Sequence, residues 1–220
     1  MEPVLSRNQL LTTPAYRFGG EHAYALEGSI FIGGAVIQWL RDKMQFFDDS
    51  KESESMAKSA AAESDVVFVP AFAGLGAPYW DQNARGAILG LTRDTTAGQI
   101  TQAALKAIAL QSLDVIAAMQ IDSGLKLPML KVDGGATRNH YLMEFQAGVL
   151  EAPVVVPRNA ETTVLGAAYL AGLGAKVWAS PDELKTLNPP AATYHPVMNG
   201  TQRERELKLW KDAVGRVLTK

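Results

Sequence analysis

The spacing of hydrophobic positions changes several times along the chain, and each change marks an element. Ile100, Ala103, Ala104, Ala107, Ile108, Leu110, Val115, Ile116 and Met119 recur at helical steps. The spacing predicts a helix over Thr95–Ser123, capped by Thr95 or Thr96 and ended by Gly124. Weaker periodicity predicts helices over Gly33–Lys43, Asn139–Leu150 and Gln202–Leu218. An exposed helix is expected over the Lys-, Glu- and Ser-rich stretch Ser50–Glu63. In a helix over Thr163–Leu173, the small residues Gly166, Ala167, Ala168, Ala171 and Gly172 suit close packing on neighbours. Ser180-Pro181-Asp182-Glu183 reads as a helix start with a serine cap.

Short β-prone runs lie between these helices. Leu10–Thr13, broken by Pro14, and Tyr24–Glu27 read as a hairpin turning at Gly19-Gly20. Val66–Pro70, Leu127–Val132 and Pro153–Val156 read as buried strands. Strands alternate with helices, which predicts an α/β domain with a mixed sheet flanked by helices. Residues 1–28 form a leading hairpin segment of this single domain, and residues 181–220 contribute C-terminal helices. Ala73–Arg85 is a long loop holding Tyr79 and Trp80, which pack either on a partner domain or in a satellite cluster under the loop. With no partner domain, this loop is expected to expose an apolar patch.

Composition narrows the function classes. The 220 residues carry a net charge of −2 and contain 47% hydrophobic and 20% charged residues, values typical of a packed globular chain. No basic stripe points to nucleic acid. The absence of cysteine removes disulfides and thiolate metal sites. The N-terminus lacks a signal-peptide layout, and no uninterrupted apolar run approaches the length of a membrane span. A cytoplasmic protein without membrane partners is expected. The mixed-sign cluster QRERELKLWKD reads as a solvated helix face.

The candidate chemistry centres on Val132–Asn139, VDGGATRN, a glycine turn between a predicted strand and a predicted helix. Two glycines let a ligand approach the backbone, and free amides at the helix start favour an anion or a polar edge. A plain tight turn would use the same residues. Neither a dinucleotide fingerprint nor a Walker A loop is present. Asp133 is expected to fix the turn by accepting backbone N–H groups. Gly33-Gly34 and Thr162-Thr163 open two further helices, and Gln38 sits one turn into the first. Asp81 and Glu27 are minor candidates for direct chemistry. His22, His140 and His195 have no metal-ligand spacing, and His140 reads as an exposed helix position. Phe145, Val149, Leu142 and Met143 read as core.

Five blocks carry a resemblance: Tyr24–Asp42, Val69–Asp81, Ala84–Thr95, Val132–Asn139 and Glu161–Gly174. In order and spacing they resemble the FGGY carbohydrate kinases, and among them the branch that phosphorylates glycerol. The resemblance implies an actin-like, ribonuclease-H-like fold and Mg2+-assisted phosphoryl transfer from ATP, with ADP as product. It implies that residues 1–220 are the C-terminal, nucleotide-binding domain of a longer, homo-oligomeric enzyme. Glycerol would then be held by an N-terminal domain outside this chain. Carried over by motif, Gly34, Gln38, Gly135 and Asn139 are the nucleotide contacts. No catalytic residue and no metal ligand is carried over, because the family's Gly-Asp-Gln and Gly-Thr-Gly blocks do not occur here. Lys106 stands where the family usually has an acid and is expected on the helix surface. Two other readings remain open: a nucleotide-binding fragment without catalysis, and a domain of a pentulose kinase.

Overall fold

A computed structural model describes residues 2–61 and 64–219. Strands β1 (Leu11–Phe18) and β2 (Glu21–Glu27) form the antiparallel hairpin. Two helices follow, α1 (Ala35–Asp42) and α2 (Glu52–Ser59). Next come β3 (Val67–Val69), β4 (Ala87–Leu89) and the long α3 (Ala97–Ser123). The chain continues through β5 (Leu130–Lys131), α4 (His140–Leu150), β6 (Val154–Pro157) and α5 (Thr162–Gly174). It ends with the short α6 (Pro181–Leu184), β7 (Pro190–Tyr194) and α7 (Gly200–Val217). The α/β reading holds, with one difference. The mixed sheet has three strands, in the order β5-β6-β7, and the other strands form two separate antiparallel pairs.

Pro14 does not break its strand. β1 runs on to Phe18, with a register shift between Pro14 and Tyr16. A two-stranded ribbon has a free edge, where the missing proline N–H costs no ladder bond. α2 is shorter than expected and not wholly exposed, since Ser53 and Ala57 are buried. Of its expected span, Ala62 and Glu63 lie outside the described residues.

α3 is the axis of the fold. Thr96 caps it in a reciprocal capping box with Gln99, and Gly124 at φ +69° ends it in the left-handed conformation. By length and composition this helix could cross a membrane, although polar residues such as Gln102, Lys106 and Asp114 interrupt it. Here it is a core helix, packed by α1, α2, α4, α7 and β3. All seven residues from Thr101 to Ala107 are buried, so this stretch has no solvent face. Its polar groups therefore need protein partners. Gln102 donates to the Ala57 carbonyl at 3.1 Å, and Gln111 donates to the Ile32 carbonyl at 3.1 Å.

Lys106 corrects the surface expectation. Only 6% exposed, it meets the equally buried Glu206 of α7 at 2.6 Å. Its ammonium also lies 5.4 Å from the Phe145 ring centre. The predicted solvated face of α7 is thus partly internal, with Glu206, Trp210, Ala213 and Val214 buried. Beside this pair, Asp114 accepts from Tyr79 Oη at 2.9 Å and from Trp210 Nε1 at 2.7 Å. Burial pushes the Asp114 carboxyl up, and these two donors oppose it. Burial and the Asp114 charge push the Tyr79 phenol well up.

The loop Ala73–Arg85 is closed on itself rather than exposed. Leu75 and Ala77 are buried, while Trp80 packs in a satellite cluster with Leu10, Val115 and Ala118. Asp81 is fully buried. It accepts from the Thr219, Asn83 and Ala84 amides and from the Thr219 hydroxyl, donors that hold its carboxyl below the ordinary value.

The close packing expected of α5 is confined to one place. Trp178 covers Gly172, whereas among the described residues nothing lies within 4 Å of a Cβ placed at Gly166. Only Leu173 of this helix is buried. Ser180 makes no side-chain cap bond to α6.

Removing one member of the Lys106–Glu206 pair strands a buried charge, so Lys106→Ala should lose about 3–5 kcal/mol in urea unfolding. The exchange Lys106→Glu with Glu206→Lys should recover most of that loss.

The N-terminal segment is tied to the end of α3. Asp122 accepts from the Ser6 hydroxyl at 2.5 Å, the Arg7 amide at 3.0 Å and the Asn8 carboxamide at 2.7 Å. The Ser6 bond leads in lowering its carboxyl pKa to about 2. The folded pKa lies below the unfolded value of about 3.9. The tether is therefore complete above the unfolded value and lost as pH falls through the folded one. Amide exchange at Arg7 and Asn8 should rise as pH drops through about 2, and Asp122→Asn should abolish that step.

Candidate functional site

β5 and β6 run parallel, with Leu130 opposite Val154, Lys131 opposite Val155, and Val132 N donating to Val155 O at 3.0 Å. Their carboxyl ends therefore open on the same edge, where open α/β sheets hold ligands. β5 leads into the glycine turn, and β6 leads toward α5. Asp133 and Thr162 join the two exits, the Thr162 hydroxyl donating to Asp133 Oδ2. This corrects the expected role of Asp133. It ties turn to helix, and among the described residues no backbone N–H donates to it.

Gly134 sits at φ +84°, ψ 176°, a region essentially reserved for glycine. A 3-10 turn follows over Gly135–Arg138, with the Thr137 hydroxyl bonded to the Gly134 carbonyl at 2.8 Å. Gly135 differs from Gly134. Its φ is not positive, and among the described residues a Cβ there would meet nothing within 4 Å. Among the described residues, the amides of Gly135 and Ala136 have no hydrogen-bond acceptor. The same holds for Thr162, Thr163 and Val164 at the start of α5. Two sets of free N–H groups thus open beside each other.

Asn139 caps α4, its Oδ1 accepting from Leu142 N at 2.9 Å and its Nδ2 donating to Ser53 Oγ at 3.3 Å. His140 is exposed as expected, but it is not idle. Its amide donates to Glu54 Oε2 at 3.0 Å, and its Nδ1 shares a hydrogen bond with Tyr194 Oη at 2.6 Å. Burial pushes the Glu54 carboxyl up, but Lys58 and the His140 amide outweigh that and hold it below its ordinary value. Burial, with the charges of Glu144 and Glu54, pushes the Tyr194 phenol up.

Gly34 and Gln38 lie on α1, away from the turn in sequence. Gly34 has ordinary helical torsions (φ −55°), and among the described residues a Cβ there would meet nothing within 4 Å. Gln38 is exposed, and among the described residues its carboxamide has no partner. α1 and α4 both pack on α3, which makes α3 the common support of the four predicted residues.

A groove of about 370 Å³ lies among α2, α3, α4 and the segment 197–202. Lys58, Gln102, Tyr141, Glu144 and Gln202 line it, and none of the four predicted residues does. Among the described residues, no group of three or more His, Asp or Glu could hold a metal. Of the candidate acids, Asp81 is engaged by amides of its own loop and by Thr219 beyond α7, and Glu27 ends β2 opposite Leu11.

The sequence pattern of the FGGY family of carbohydrate kinases, C-terminal domain, matches residues 2–175. The chain belongs to that family. Glycerol kinase of Leptospira biflexa is 53% identical over 215 residues, 98% of this chain and 43% of that protein. Glycerol kinase of Streptococcus agalactiae is 50% identical, covering 97% of this chain and 42% of that protein. The chain thus spans less than half the length of the curated relatives it matches. Glycerol kinase of Plasmodium falciparum, solved with ADP, superposes with a TM-score of 0.91 at 37% identity, over 99% of this chain and 44% of that one. A xylulose kinase of Lactobacillus acidophilus, at 24% identity and a TM-score of 0.80 over 94% of this chain and 41% of that one, shares the fold. The FGGY assignment brings with it the actin-like fold expected from the sequence.

Sequence reasoning missed Ser53 as a partner of Asn139 and the direct Asp133–Thr162 bond. Thr162 was legible as a helix start, but nothing near Ser53 in the sequence announces Asn139, 86 residues away.

The two turn glycines should respond differently to a methyl group. Gly134→Ala should cost about 1–3 kcal/mol in urea unfolding, since it forces a Cβ into a glycine-only region. Gly135→Ala and Gly34→Ala should stay within about 0.5 kcal/mol of the parent.

Proposed function

We propose that this chain is the nucleotide-binding C-terminal domain of an enzyme that transfers the γ-phosphoryl group of Mg-ATP to glycerol. Gly34, Gln38, Gly135 and Asn139 contact the nucleotide. The observation that carries the reading is the open glycine turn at the carboxyl ends of two parallel strands, in a chain of a kinase family. At Gly34 and Gly135, neither backbone torsion nor packing among the described residues calls for glycine. Close approach of a bound group does. Free amides at Gly135 and Ala136 supply donors, and Asn139 retains one N–H and one acceptor lone pair beyond its two protein bonds. Glycerol rather than a pentulose is favoured by relatives at about half identity.

Phosphoryl transfer needs a base for the hydroxyl proton and a clamp on the transferred group. Asp81 and Asp133 are committed to hydrogen bonds within this chain. Nor do the family's Gly-Asp-Gln and Gly-Thr-Gly blocks occur among these 220 residues, which on this reading bind nucleotide without performing the transfer. Mg2+ enters with the nucleotide, held by its phosphates.

The test is calorimetric titration of the chain with Mg-ADP, beside a glycerol phosphorylation assay. Binding is expected without turnover. Gln38→Ala should weaken binding by about tenfold, the net worth of one good hydrogen bond, and leave the urea midpoint unchanged. Glycerol turnover by the chain, or ADP binding indifferent to Gln38, would contradict the proposal.

A further inference from the structure

Two consecutive residues of α2 hold the cap and the first residue of α4. Ser53 faces the Asn139 carboxamide, and Glu54 takes the His140 amide. Ser53 is only 1% exposed. Its hydroxyl donates to the Ser50 carbonyl at 2.6 Å, so toward Asn139 it offers only lone pairs. Ser50 is tied in turn to α1, where Arg41 Nη1 donates to Ser50 Oγ at 3.1 Å. Two bonds to Asp42, at 2.6 and 3.1 Å, hold the same guanidinium. A chain of hydrogen bonds, passing through both the hydroxyl and the backbone carbonyl of Ser50, thus runs from α1, which carries Gln38 and follows Gly34, through α2 to Asn139.

We infer that this Arg41–Ser50–Ser53–Asn139 chain sets which end of the Asn139 carboxamide faces a nucleotide, making Ser53 a positioning residue. The inference rests on the nucleotide reading above. Leu142 N is a donor and demands the oxygen of Asn139, while Ser53 Oγ, its proton spent, demands the nitrogen. Reversing the amide would set donor against donor and acceptor against acceptor. The remaining N–H and lone pair therefore keep one handedness, which a purine edge or ribose hydroxyl can read. Because Arg41 springs from the last turn of α1, the same chain couples the spacing of α1 to the orientation of Asn139. Ser53 touches no nucleotide itself, and its effect passes through Asn139.

The experiment is an NMR titration of the chain with Mg-ADP for the parent, Ser53→Ala, Asn139→Ala and the double variant. Ser53→Ala should shift the Asn139 side-chain amide pair before any ADP is added. It should weaken ADP binding by about three- to tenfold, the range of one net hydrogen bond. In the Asn139→Ala background the same change should alter affinity by less than about twofold, since two residues acting through one contact are non-additive. An unshifted Asn139 amide, parent-like affinity in Ser53→Ala, or equal weakening in both backgrounds would overturn the positioning role alone. Parent and Asn139→Ala binding ADP alike, or the parent not binding it, would remove the nucleotide reading and this inference with it.

Discussion

Because β5 and β6 run parallel, the segments leaving them emerge on the same edge of the sheet. The glycine turn and the start of α5 are therefore neighbours, and Asp133 with Thr162 fastens them. Each exit brings amides that its own helix cannot satisfy. An antiparallel pair would have sent the two exits to opposite edges and left no such cluster. The surrounding fold serves this edge. α4 packs on α3 behind the turn, β7 closes the far side of β6, and α2 braces the first residues of α4.

α3 is the rigid support for that arrangement, and its burial sets strict conditions. A helix enclosed over Thr101–Ala107 cannot leave a polar side chain unpaired. Lys106 is tolerated because Glu206 meets it, and α7 is thereby fixed in register against the core. Asp114 repeats the device about two turns further along the helix, joining the loop through Tyr79 and α7 through Trp210. The C-terminal helix is thus bound to α3 by polar contacts as well as by apolar burial.

What was legible in the sequence was local. A threonine cap at Thr95 or Thr96, Gly124 as a stop and the VDGGATRN turn depend on residues a few positions apart. Family blocks extended that reading to the actin-like fold. What was not legible depended on long separations. Lys106 looked like a surface residue because nothing near it shows that its helix has no surface there, and its partner is 100 residues away. Asp133 looked like a turn residue because Thr162 lies 29 residues on. Pro14 looked like a break because the free edge that tolerates it is a property of the pairing. Helix α5 looked like a packing helix from its small residues, yet most of it faces outward.

The central claim is that the open edge formed by β5 and β6 receives a nucleotide. Backbone amide NMR of the chain with and without Mg-ADP addresses it directly. The account predicts that the largest shifts fall on Gly135, Ala136 and Asn139, with a second group at Gly34 and Gln38. Shifts confined to the groove lined by Lys58, Glu144 and Gln202, or no shifts at the glycine turn, would contradict it.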